Sequence, residues 1–153
     1  MTTNATDTMW SPACAFGIAP SNFTNVSLTK PCSASGAFSL DYSQSLFKGM
    51  TSQDHIMQRH GGSGLPGVSQ YFGNFSQIQN INSVTYLFGS QNLQGNSVVF
   101  QYTFPQLPWL TAIGAQTHIG TDASGNHTST NRLVTQSNCK TVVTSYPIPD
   151  PVP

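Results

Sequence analysis

Asp54, His55, Arg59 and His60 sit together in the stretch TSQDHIMQRHGGSGLPG (51–67). They are four of only fourteen Asp, Lys, Arg and His side chains in a chain of 153 residues that has no Glu. Carboxylate, imidazole and guanidinium are the groups used in acid–base catalysis, zinc ligation and anion binding. Spacing argues against a shared metal. His55 and His60 are five apart, which on a helix turns them about 140° from each other, whereas helical metal pairs are three or four apart. Asp54 and His55 are adjacent and diverge in the same way. A ligand set would need folding to bring in His118 or His127.

Nucleophilic and hydrolytic chemistry fare no better. HGGSG (60–64) is similar to the glycine-rich oxyanion loops of esterases, but the nucleophile-elbow pattern G-x-S-x-G requires glycine where Leu65 stands, and these glycines follow a helix pattern rather than a strand. Glycoside hydrolysis needs two carboxylates flanking one bond. Asp7, Asp41, Asp54, Asp122 and Asp150 are dispersed along the chain. Cys14 or Cys32 as nucleophile would need a paired histidine. Phosphate-cradling and dinucleotide motifs are missing from the sequence. The expectation is a non-enzymatic protein with no metal and no cofactor.

The elements that hold these groups are legible from local signals. Thr51 or Ser52 can cap a helix over 51–60, Asp54 suits its first turn, and Arg59 and His60 suit its last. Gly61 and Gly62 then end it, and with Pro66 they predict a flexible turn. Elsewhere the period is two. SVVFQYTF (97–104) sets Val98, Phe100, Tyr102 and Phe104 on one face and Val99, Gln101 and Thr103 on the other, a strand pattern. AFSLDY (37–42), SVTYLF (83–88) and KTVVTSY (140–146) read alike, with weaker strands at 23–28, 67–72, 109–113, 115–120 and 131–136. Turn clusters lie at 89–96, 105–108 and 120–126, the last a hairpin in which Gly125 and Asn126 can take positive φ. Short strands about ten residues apart predict an all-β fold, a β-sandwich or single jelly roll, with one short helix in a connection.

Composition narrows the function. Charged residues make up 7% of the chain against roughly 25% in ordinary soluble proteins. Ser, Thr, Asn and Gln carry the polarity, and nine Phe, five Tyr and two Trp argue for a packed core. Lys30, Lys48, Arg59, Arg132 and Lys140 are too few and too scattered to grip a phosphate backbone, so direct nucleic-acid binding is not expected. Zero net charge removes the usual electrostatic guard against self-association. The sequence contains no run of 18 apolar residues and no signal-peptide pattern at its start. Three cysteines (Cys14, Cys32 and Cys139) without a signal predict free thiols made in a reducing cytoplasm, although Cys14 and Cys32 could bridge in an oxidising one. Asn4, Asn22, Asn25, Asn74 and Asn126 head N-x-S/T sequons, expected to be unused unless the chain is a secreted domain.

The tail SYPIPDPVP repeats proline at 147, 149, 151 and 153, which predicts a stiff polyproline II arm. Expected organisation is therefore one β-sandwich domain over 1–146, irregular over 1–20, with an arm over 147–153. In residue usage the chain is similar to β-rich virion proteins, such as single jelly-roll capsid subunits and phage decoration proteins. That resemblance implies a structural subunit of a virus particle, above all of a phage, made in the host cytoplasm. It would pack against copies of itself and other virion proteins through Trp109 and the arm prolines Pro147, Pro149, Pro151 and Pro153. The alternative is a lectin-like extracellular β-sandwich that stacks sugars on Tyr71, Tyr86, Tyr102 or Trp109.

Overall fold

A computed structural model describes residues 31–106 and 117–152. Expectations for Cys14, Trp109, Pro153, the strands at 23–28 and 109–113, and the sequons at Asn4, Asn22 and Asn25 lie outside the described residues. A short 3-10 helix, Ala34–Phe38, is followed by β1 (Ser45–Phe47), β2 (Met50–Thr51) and α1 (Ser52–His60). Next come β3 (Gln70–Tyr71), α2 (Phe75–Phe88), β4 (Ser90–Gln94) and β5 (Ser97–Thr103). The chain closes with β6 (Gly120–Thr121), β7 (His127–Thr128), β8 (Thr130–Gln136) and β9 (Val142–Ile148). The protein is β-rich, with three sheets and two α-helices among the described residues.

The main sheet has the order β4-β5-β8-β9, antiparallel throughout. Its middle strand β5 keeps the alternation of its sequence, with Val98 and Phe100 buried in the core. Opposite Phe100 in register stands Leu133, also fully buried. α2 packs across β5 and β8, while α1 packs against β9. The hairpin over 120–126 forms as expected, β6 pairing with β7 and Gly125 at φ 85°. Gly120 has a further reason to be glycine: a Cβ there would sit 2.0 Å from the Gln70 carbonyl of the paired strand β3.

Three local expectations are overturned. The segment 83–88 is the last part of helix α2, not a strand, so the fold has a second and longer helix. Asn74 caps it and forms a reciprocal capping box with Gln77, the device that starts a helix. Its buried stripe, Ile78, Ile81, Asn82 and Thr85, has helical spacing, but two of the four are polar and so invisible to a hydrophobic period. At 37–42 the chain forms the 3-10 helix and then one parallel bridge, Asp41 to Thr141; Phe38 is 64% exposed and only Tyr42 of the expected inner face is buried. The cluster at 89–96 is a strand and a two-residue hairpin turn, Gln94 pairing with Ser97 around Gly95 at φ 60°.

A polar network ties α2 to the sheet inside the core. Asn82 donates to Tyr42 Oη (3.1 Å) and Ser145 Oγ (3.0 Å) and accepts from Asn131 Nδ2 (2.9 Å). Asn131 also donates to Thr85 Oγ1 (2.9 Å) and accepts from the Tyr71 hydroxyl (2.6 Å). All six residues are buried, and a satisfied buried network fixes one packing of helix on sheet.

The free-thiol expectation is corrected as well. Cys32 and Cys139 form a disulfide with Cα atoms 5.6 Å apart, closing a sequence separation of 107 residues. An odd cysteine count cannot reveal a pairing that depends on two distant segments meeting in space. Cys139 itself takes φ 61° in the turn before β9, a left-handed conformation uncommon outside glycine.

Candidate functional site

The stretch that looked chemically rich in sequence and the proline tail meet in space. Between the C-terminal end of α1 and strand β9 lies a cleft of about 440 Å³, lined by His55, Arg59 and His60 on one side and Tyr146, Pro147 and Pro149 on the other. Every local signal of the helix holds. Thr51 accepts from the Asp54 N–H, Asp54 lies in the first turn, and Gly61 and Gly62 end the helix, Gly62 at φ 84°. The turn after the helix is braced rather than flexible. Gln70 Oε1 accepts from the N–H groups of Gly62 (2.8 Å) and Ser63 (2.9 Å), while its Nε2 donates to the Arg59 carbonyl (3.0 Å). One glutamine thus ties the HGGSG loop to the end of α1, and no sequence pattern marks it.

The two histidines diverge on the helix yet reach the same cleft, because the cleft wraps the helix end. Their ring centroids are 6.4 Å apart. His55 stacks on Phe47 at 3.8 Å. His60 is 7% exposed and stacks on Tyr146 at 5.4 Å. Its Nδ1 lies 2.8 Å from the Ser69 carbonyl, which can only accept, so the neutral ring carries its proton on Nδ1 and a lone pair on Nε2. Burial pushes the His60 pKa down, the Ser69 bond opposes this, and Arg59 and His55 reinforce it. His55 is also lowered, by partial burial and then by Arg59.

No hydrogen bond reaches His60 Nε2 or the Arg59 guanidinium from the described residues. Thr144 Oγ1, also on the cleft lining, is buried without a partner among them. Val68, Pro147, Ile148 and Pro149 add apolar surface to the same lining. Ser69 Oγ lies 3.3 Å from His60 Nδ1, but that nitrogen is already a donor to the Ser69 carbonyl, so it cannot serve as base for the hydroxyl. No carboxylate of the described residues lines the cleft. The lining thus combines an imidazole acceptor, a guanidinium cation and apolar surface.

The tail prolines are placed differently from a free arm. Pro147 is a buried residue of β9, paired with Asn131 on the last strand of the sheet, where proline is tolerated. Pro149 and Pro151 are exposed, Pro149 on the cleft wall. Asp150 clasps the tail to its own domain, Oδ1 accepting from the Ser129 N–H (2.9 Å) and Thr130 Oγ1 (2.7 Å) and lying 2.9 Å from Thr128 Oγ1. Partial burial raises the Asp150 pKa, but the bonds from Thr130, Ser129 and Thr128 outweigh it and hold the carboxyl below its usual range.

A second depression, about 500 Å³, lies on the face of the main sheet carrying Asn92, Gln101, Arg132 and Tyr146. Arg132 Nη2 donates to Gln101 Oε1 (3.1 Å), and its Nε is buried without a partner among the described residues. Tyr146 borders both depressions. His118 and His127 form a separate pair, centroids 5.5 Å apart, and no group of three or more His, Cys, Asp or Glu is arranged for a metal among the described residues. Of the aromatics expected to stack sugars, Tyr71 and Tyr86 are core residues at 2% and 1% exposure, which corrects that assignment, and Tyr102 is half-buried. No helix among the described residues is long and apolar enough to cross a membrane. Comparisons with protein-family models, curated proteins and solved structures gave no match.

Proposed function

We propose that this chain is an extracytoplasmic, non-enzymatic binding module whose α1–β9 cleft takes a short glycan segment. The observation that carries the reading is a cleft lining that joins His60, whose Nδ1 is taken by the Ser69 carbonyl and whose Nε2 is left as an acceptor, to Tyr146 and the apolar surface of Val68, Ile148 and Pro149. A sugar ring offers this combination in reverse: hydroxyls that donate and accept, and a C–H face that packs on apolar surface. Stacking falls to Tyr146 instead of the core tyrosines. The Cys32–Cys139 disulfide supports an oxidising compartment, where such bonds persist. Screening a glycan array and titrating the best binder against the protein and its Tyr146→Ala variant tests the reading. Binding that the variant weakens at least tenfold is expected; an array without binders, or a binder indifferent to Tyr146, refutes it.

A second reading, the virion subunit, rests on β4. This edge strand pairs only with β5 among the described residues, carries no charge or proline, and exposes Leu93 at 57%. Natural edges normally carry such guards, so an unguarded one supports pairing with another copy, and the jelly-roll form of the β-rich class belongs with this reading. Electron microscopy and size-exclusion chromatography across a concentration series decide it: a monomer at every concentration ends it.

A further inference from the structure

We infer that Asn74 and Asn126 carry N-linked glycans, an inference that rests on the oxidising compartment proposed above but not on the ligand of the cleft. Asn74-Phe75-Ser76 and Asn126-His127-Thr128 are the two sequons among the described residues. In both, the asparagine is exposed. Asn74 caps α2 through Oδ1, which accepts from the Gln77 N–H at 3.0 Å. Its Nδ2, the atom that bears a glycan, has no partner among the described residues and takes no part in the cap. Asn126 sits at the β6–β7 hairpin, held through its backbone: its N–H donates to Asp122 Oδ1 (3.0 Å) and its carbonyl accepts from the Asp122 N–H (2.8 Å). Its side chain takes part in neither bond. Both positions therefore accept a bulky group with no loss of a structural contact.

The two sites flank one exposed apolar feature. Phe72 is 37% exposed, two residues before Asn74, and packs edge-on against His127, the neighbour of Asn126, at 5.1 Å. Glycans on both sides shield this aromatic pair in a chain whose zero net charge gives it little other protection from association. Chemically, each Nδ2 displaces polyprenyl diphosphate from the anomeric carbon of a lipid-diphosphate-linked oligosaccharide. The C–N bond forms, the C–O bond to diphosphate breaks, and the amide gives up one proton.

The experiment is secretion of the full chain, behind a signal peptide, from cultured eukaryotic cells, with intact mass measured before and after peptide N-glycosidase F. Peptide mapping under non-reducing conditions tracks both the glycan sites and the Cys32–Cys139 bond. Occupied Asn74 and Asn126 are expected. Ser76→Ala removes the first acceptor motif without touching the Asn74 cap, and Asn126→Gln removes the second; each should lower the mass by one glycan, and the double variant should self-associate at lower concentration. Disulfide-bonded protein with bare Asn74 and Asn126 overturns this inference alone. Secreted protein lacking the disulfide, or none secreted, overturns the compartment reading with it.

Discussion

Replacing Asn82 by leucine tests whether the buried polar network holds helix to sheet. The two side chains share a four-atom branched skeleton, so no cavity forms; the cost falls on hydrogen bonding, and the bulkier leucine methyls can only add to it. Asn82 makes three bonds, to Tyr42, Ser145 and Asn131, and each is worth about 1 kcal/mol net, giving roughly 3 kcal/mol in all. The Tyr42 and Ser145 hydroxyl oxygens each lose a donor, and rotatable hydroxyls can regroup with other neighbours. Asn131 cannot: one of its amide protons loses its acceptor inside the core. At about 2–4 °C per kcal/mol for a chain of this size, the melting temperature should fall by about 6–12 °C. Urea unfolding monitored by tryptophan fluorescence and far-ultraviolet circular dichroism measures the loss directly. The double variant with Asn131→Leu should cost less than the two single losses added, since neighbours in one network couple. A single-variant loss below about 1 kcal/mol, or strict additivity, refutes the network as the tie between α2 and the sheet.

Three more outcomes rest on named contacts. Substituting both Cys32 and Cys139 by serine frees a separation of 107 residues; the chain-entropy relation gives about 5 kcal/mol as the loss for such a loop, and a loss under about 1 kcal/mol in urea unfolding rules out the bond as a stabilising link. Thr144→Val removes a buried hydroxyl that has no partner among the described residues, so it should be neutral or stabilising by up to about 1 kcal/mol; clear destabilisation would mean that the hydroxyl is satisfied. Acid should loosen the tail. The folded Asp150 pKa is depressed, so its contribution is complete above the unfolded value and is lost as pH falls through the folded one. Asp150→Asn should flatten that acid limb, read by proteolysis of the tail below about pH 4, the unfolded carboxylate value, and an unchanged limb would place the acid sensitivity elsewhere.

Local patterns reveal the strands whose apolar residues alternate and the helix whose ends carry charge and glycine. Val98 and Phe100 are buried as their spacing requires, and Thr51, Asp54 and Gly62 do what their types suggest. Polar residues used as core escape such patterns. Asn82 and Thr85 face inward on α2, and without them the remaining Val84, Tyr86 and Phe88 imitate a strand. Long-range pairing was hidden for a different reason: neither Cys32–Cys139 nor Gln70 with the Arg59 carbonyl is implied by local spacing.

The cleft shows how the two errors compound. Helical phase separates His55 from His60 only when the partner surface is flat and runs along the helix. Here β9 follows α1 from Ser52, bonded to the Val142 carbonyl, to His60, stacked on Tyr146, and the cleft curves round the end of the helix, so both imidazoles and Arg59 line one space. The prolines of the tail complete it because Pro147 is a strand residue and Asp150 fastens the segment beyond β9. A tail held this way is a wall of the cleft on its own domain. Its stiffness then holds Pro149 in the cleft lining at little entropic cost, and under the proposed glycan reading, releasing the Asp150 clasp should weaken ligand binding and loosen the tail together.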